Sequence, residues 1–319
     1  MKDVVKRILD IREFMIIVII LLVGVALSLA SPVFLTTANL LVVLLGLSFN
    51  AIIAVGMTIL LVGGGFDMSV GAILALCGSV TGMMVLSGLP VWLCVIIGVI
   101  FGICIGLING LLVAKLEINP FIATLGTQML FRGILLVLTG GKNVTGFPDA
   151  FRAIGQTRFF GVQTPIIMAV IVVIIGDIFL RNSRFLRQYY YIGGSEKAAK
   201  LSGMNSKAMK MFAYTLSGAL AGFAGIVMAS RHASASVTAG GETAFQVITA
   251  VIIGGASLKG GEGSVFGAFL GCLLMALINN ALTLLGVNVY WNSIVIGGTL
   301  LFAVLVDTAN QLKKERGLK

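Results

Sequence analysis

The chain has 319 residues, of which 58% are hydrophobic and only 11% charged, with a mean hydropathy of +1.09. A soluble domain carries about 25% charged residues, and a single water-soluble core stops growing near ~250–300 residues, so this much apolar sequence belongs in a bilayer. The 41 glycines and 5 prolines suit close-packed transmembrane helices and exclude disordered and collagen-like chains. The net charge of +10 does not point to nucleic acid, because the basic residues sit between the apolar runs.

Lys2, Lys6, Arg7 and Arg12 precede an apolar run over 14–31. That run exceeds a signal-peptide core of about 7–15 residues, and further runs follow, so it reads as an uncleaved first transmembrane helix. Nine more segments approach the ~20 residues needed to cross hydrocarbon. They cover 40–63, 68–87, 91–113, 120–139, 164–181, 211–230, 244–258, 264–286 and 290–307. The expected fold is therefore all-α: a polytopic integral membrane protein of about ten transmembrane helices, forming one domain over 1–319. The eighth segment is short and interrupted by Gly254-Gly255, which predicts a tilted or broken helix. Irregular backbone at that depth must be buried in protein or line a cavity.

Charge placement predicts orientation. With ten spans and a cytoplasmic N-terminus, seventeen of the 22 basic residues fall inside and four outside, with Arg132 in a span. That is the positive-inside bias, and it puts both termini in the cytoplasm. Two loops are long enough to act. Residues 140–164 lie outside, with Phe147, Phe151, Phe159 and Phe160. Residues 181–210 lie inside and carry seven basic residues.

Polar groups at membrane depth are costly and mark function by default. Asn50, Asp67, Ser69, Asn109, Asn119, Thr124, Gln128 and Arg132 are candidates for a translocation path. Thr124, Gln128 and Arg132 share one helix face at i, i+4 and i+8, with Thr127 beside them. Asp67 reads either as a cap of the third span, bonding backbone N–H groups two and three residues on, or as a gating group. Asn279-Asn280 reads as an interhelical hydrogen-bonding pair. Cys77, Cys94, Cys104 and Cys272 read as small buried hydrophobes, neither paired nor metal-bound. His232 is the one histidine, so no multi-histidine metal site is available. No phosphate-binding G-x-x-x-x-G-K-[ST] run occurs, so if transport is ATP-driven the ATPase is another chain. No Asp/Glu/His relay appears.

The cytoplasmic segment from Tyr191 to Asn205 has the grammar of a short helix. Gly193-Gly194 turns the chain, Ser195 caps, Glu196 suits the first turn, and Gly203 ends the helix in the left-handed region. Asn205 caps the next span. A helix this short is marginal in water, so it packs on its own protein or on a partner.

Several stretches resemble the permeases of bacterial ABC sugar importers, in the ribose/xylose/arabinose branch. Gly64-Gly65-Phe66-Asp67-Met68-Ser69-Val70-Gly71 is similar to that family's GG-[IF]-D-[LM]-S-V-G signature. Asn109–Lys115, Ile118–Gly126, Arg132-Gly133, Gly193–Gly203, Leu216–Gly218 and Gly254–Gly267 agree in order. The resemblance implies a non-enzymatic subunit of an inner-membrane importer that moves a monosaccharide by alternating access. It implies a second copy of the chain as a homodimer partner, a cytoplasmic ABC ATPase holding ATP and Mg, and a periplasmic or lipid-anchored binding protein. It also implies that Gly193, Gly194, Ser195, Glu196, Ala198, Ala199, Leu201 and Gly203 form the loop that couples to the ATPase. One region departs: Ala233–Val251 lacks the family's Tyr-Glu-Leu-Asp run and keeps only Glu242, a further path candidate. The solute is thereby left open to a signalling molecule or nucleoside, and an ion-coupled secondary transporter is the alternative mechanism.

Overall fold

A computed structural model describes residues 12–288 and 290–315. The basic residues before 12 and after 315 that enter the orientation argument lie outside the described residues. All ten expected segments are helical. They are α1 (Arg12–Ala30), α2 (Thr37–Val62), α3 (Val70–Leu86), α4 (Val91–Gly110), α5 (Pro120–Thr139), α7 (Thr164–Asn182), α10 (Ser206–His232), α11 (Thr243–Ile253), α12 (Val265–Leu284) and α13 (Trp291–Glu315). Eight are long and apolar enough to cross a membrane; α3, at 17 residues, and α11, at 11, are shorter.

Helix α10 is the central post, packed against α2, α3 and α4. Its small residues face those of α4. A Cβ added to Gly102 would come 2.5 Å from the Gly218 carbonyl oxygen, so only a bare backbone fits that crossing. This is small-residue packing, where close contact replaces a hydrophobic driving force absent between apolar helices in lipid. Helices α1, α4, α5 and α7 turn leucines, isoleucines and valines outward, with Leu22 at 65%, Val137 at 83% and Ile174 at 52% exposure. Outward apolar faces of this kind fit hydrocarbon rather than water. Cys104 is exposed on α4, contrary to expectation, because the glycine face of α4 is the one turned inward; the other three cysteines are buried.

The eighth segment is a half-helix. A rise of 1.5 Å per residue gives α11 roughly 16 Å, about half the hydrocarbon thickness. The chain reaches it through an extended stretch. Strand β4 (Ser234–Ala235) pairs antiparallel with β1 (Val144–Thr145), and turns over 236–242 follow. Gly240 is what lets this stretch enter the bundle. Its φ of +74° is left-handed, and a Cβ on Gly71 would sit 2.0 Å from the Gly240 oxygen.

Short elements close both ends. At one end α6 (Asp149–Gln156) buries Phe147 and Phe151, edge to face at 5.0 Å, against the end of α10. The hairpin of β2 (Arg158–Phe159) and β3 (Val162–Gln163) leaves Phe159 and Phe160 exposed. At the other end lie α8 (Gln188–Gly194) and α9 (Glu196–Leu201).

Candidate functional site

Four of the path candidates converge on one point. After α2, Gly64 in the left-handed conformation turns the chain, and Asp67 drops between helices. Asp67, Ser69, Asn109 and Thr124 are all 0% exposed. Asp67 Oδ1 accepts from the Ser69 backbone N–H at 2.8 Å and from its hydroxyl at 2.6 Å. The cap reading therefore holds in altered form: Asp67 lies two residues before the N-cap, Ser69, and bonds the N–H two residues on but not three.

The rest of the network comes from other helices. Asn109, just before the π turn Leu111–Lys115 that ends α4, donates to Ser69 Oγ at 2.7 Å and to Asp67 Oδ1 at 3.5 Å. Thr127 donates to Asn109 Oδ1 at 2.7 Å, and Thr124 accepts from the Met68 N–H at 3.0 Å. Ser217 on α10 donates to Asp67 Oδ2 at 3.4 Å, and the Tyr214 hydroxyl donates to the Phe66 carbonyl at 3.1 Å. Hydroxyl and amide donors thus surround a buried carboxylate in place of a counter-ion. Such a network is costly unless every member is satisfied, and satisfied it fixes one arrangement of the helices around it. This is a sealed junction of α3, α4, α5 and α10, not an exposed wall. Ser217 and Tyr214 lie about 150 positions along the chain from Asp67, and only the fold brings them there.

Arg132 is not part of that junction, and the helix face it was expected to share with Thr124 and Gln128 splits. Its guanidinium donates to the carbonyls of Val237 at 2.6 Å and Ala239 at 2.8 Å, holding the irregular stretch before α11 against α5. The charge is met by backbone dipoles instead of an acid. Gln128 keeps a buried Oε1 without a described partner. Asn119 caps α5, accepting from Phe121 N–H at 2.9 Å. Asn50 donates to Gln246 Oε1 at 3.0 Å, and Glu242 accepts from Ser293 on α13. Asn280 makes the expected interhelical pair, exchanging bonds of 2.8 and 3.1 Å with Asn39, whereas the buried Asn279 Oδ1 has no described partner. Among the described residues, no group of three His, Cys, Asp or Glu could hold a metal ion.

The segment from Tyr191 to Asn205 follows its grammar closely. Ser195 Oγ accepts from Ala198 N–H at 3.3 Å, Gly203 has φ +81°, and Asn205 caps α10 through Ala208 N–H at 3.0 Å. Gly193-Gly194, expected as a turn, instead completes α8. Gly193 is there for contact: a Cβ would lie 1.9 Å from the Val62 oxygen and 2.4 Å from Gly261 N. Gly261 N–H donates to that same Val62 carbonyl at 2.8 Å. Tyr189 donates to the Met209 carbonyl at 2.6 Å and Tyr190 to the Gly263 carbonyl at 2.8 Å. Helix α8 is thus fastened to the end of α2, the start of α10 and the loop before α12, and α9 follows directly from it. On α9, Ala199 is buried and Leu201 stands 83% exposed. Glu196 pairs with Lys210 at 2.6 Å and Lys200 at 3.0 Å. Partial burial pushes its carboxyl up, but the two lysines outweigh that and hold it below the usual glutamate value.

The family described as "branched-chain amino acid transport system / permease component" matches residues 39–304. The chain belongs to this family of ABC importer permeases. The ribose import permease of Bacillus subtilis is 40% identical over 88% of each chain. The ribose import permease of Escherichia coli K12 is 40% identical over 93% of each. The D-allose permease of E. coli K12 is 36% identical over 92% of this chain and 90% of its own. No solved structure matches this chain. As a permease of this family it is a multi-pass membrane subunit without catalysis of its own, and it works with an ATPase and a binding protein. Membership decides against the ion-coupled alternative.

Proposed function

We propose that this permease carries a ribose-type monosaccharide through the cytoplasmic membrane. The observation that carries the reading is its likeness to sugar permeases over about nine-tenths of both chains. The 319 residues act as one transmembrane domain, paired with a second copy of itself, and the binding protein delivers solute from outside. The chain crosses ten times, the eighth crossing being the extended stretch plus α11, so that both termini and α9 face the cytoplasm. ATP and Mg bind on the partner.

Helix α9 sits in a groove of the ATPase, which supplies the burial that exposed Leu201 lacks on its own. Movement of α9 passes through Gly193 and the Tyr189 and Tyr190 hydrogen bonds to the end of α2 and the loop before α12. The Gly63–Ser69 turn then carries it to the Asp67 junction, whose bonds re-form as the helices re-pack. Discrete re-packing of this kind converts a small push into alternating access.

The test is uptake by vesicles holding the reconstituted importer. ATP-dependent accumulation of D-ribose, D-allose or L-arabinose supports the reading. Accumulation of leucine with none of the sugars would replace it with the substrate in the family's description. For topology, a reporter at Gly161 should read outside and one at Ser202 inside; the reverse refutes the orientation.

A further inference from the structure

Between α2, α11 and α12 lies a cavity of about 230 Å³, below the ~300–1,000 Å³ typical of drug-sized ligand sites. Its size suits one small ring. Asn50, Gln246, Asn279, Asn280 and Thr283 line it with apolar neighbours, and no charged side chain does. Asn280 is committed to Asn39, and Asn50 Nδ2 to Gln246 Oε1. Asn279 Oδ1 is buried with no described partner.

Buried polar atoms in native proteins are nearly always satisfied, and each exception needs a reason. Here the open valence is the Asn279 Oδ1 acceptor, on a cavity lined by further amides and a threonine and by no charge. A hydroxyl group can donate to it and accept from a neighbouring amide. An ammonium or carboxylate would enter with no opposite charge to meet it, a cost that amides alone do not offset.

We propose that this cavity is a solute subsite of the permease itself, which takes a neutral polyhydroxylated ring by its hydroxyls. The inference rests on the monosaccharide reading and extends it, since selection then occurs in the permease as well as in the binding protein. Asn50 and Gln246 form the floor and Asn279 the wall.

Asn279→Leu separates this role from a structural one. It replaces an unpartnered polar side chain by an apolar one with the same branching, and the cavity beside it leaves room for the larger methyls, so the fold is kept or strengthened. The complete importer in vesicles is assayed with labelled D-ribose, D-allose and L-arabinose. The expected result is an uptake KM raised about tenfold for the transported sugar, corresponding to loss of one buried hydrogen bond, with unchanged ATPase assembly and thermal stability. Unchanged uptake kinetics overturn the subsite and leave the transport reading standing. Failure of the wild type to import any of the three sugars overturns the reading and the subsite together. As a second measurement, Asn279→Cys in a Cys104→Ser, Cys272→Ala background, which removes the exposed thiol and the native thiol lining the cavity, should react with a water-soluble thiol reagent and be protected by the transported sugar. Reaction only with a lipid-soluble reagent, unaffected by sugar, would make the cavity lipid-filled and overturn the proposal.

Discussion

The Arg132 guanidinium donates to the Val237 carbonyl at 2.6 Å, so a charge within one membrane helix is neutralised by the backbone of a stretch 105 residues away. This contact, with the bond to Ala239, explains how residues 236–242 remain irregular inside the bundle. Arg132→Met leaves two carbonyls without their donor. Hydrogen bonds to charged groups are worth about 1.5–3 kcal/mol each, so the variant should melt several degrees lower in detergent and exchange amide hydrogens faster over 237–242. Arg132→Lys should recover only part, since an ammonium lacks the planar fork that spans both carbonyls. Wild-type exchange in Arg132→Met would sink the clamp.

Asp67→Ala should cost about 2–5 kcal/mol, because the Ser69 N–H and hydroxyl and the Ser217 hydroxyl would all be left buried without their acceptor. Asp67→Asn keeps one acceptor oxygen and should be milder. Denaturant titration of the purified permease checks the order. Equal stability of all three proteins would show that the carboxylate does not hold the junction.

Gly71→Ala pushes a methyl into the Gly240 carbonyl. Gly240→Ala adds left-handed strain of about 1–3 kcal/mol to the reciprocal clash. Both should reduce the folded yield in membranes, whereas Gly126→Ala, with open space around it, should not. Gel-filtration profiles of the three variants decide.

Leu201→Asp changes a side chain that is 83% exposed, so insertion and melting temperature should be unchanged while co-purification with the ATPase is lost. Intact co-purification places the ATPase contact elsewhere.

The depressed carboxyl of Glu196 sets a pH dependence. A group whose folded value is lowered contributes stability above its unfolded value and loses it as pH falls through the folded one. Anchoring of α9 to Lys210 should therefore persist at neutral pH and fail only in acid, below the usual glutamate range. The Glu196→Gln variant should flatten that profile. ATPase binding measured against pH reads it out, and a midpoint near neutrality would contradict the pairing.

Much of this was legible in the residues because it depends on near neighbours. Apolar run length gave ten helical segments. Ser195, Gly203 and Asn205 marked the boundaries of α9 and the start of α10, since capping is settled within three or four residues. The interruption at Gly254-Gly255 marked the short eighth helix. The polar residues at the helix ends and within the spans were visible as such, yet their grouping was not. Helical spacing joined Thr124 to Arg132, whereas the fold assigns them to different tasks.

What the sequence by itself determined was the ten apolar helical segments, the caps at Ser195 and Asn205, and the resemblance to a permease family. What the tertiary structure alone decided was which polar groups meet. Asp67 reaches Ser217, Asn39 reaches Asn280 and Asn50 reaches Gln246 across separations of 150, 241 and 196 residues. In a bilayer every helix satisfies its own backbone, so local pattern fixes the helices. Which side chains they share depends on the close approach that glycines such as Gly71, Gly102 and Gly193 permit only when two particular surfaces meet.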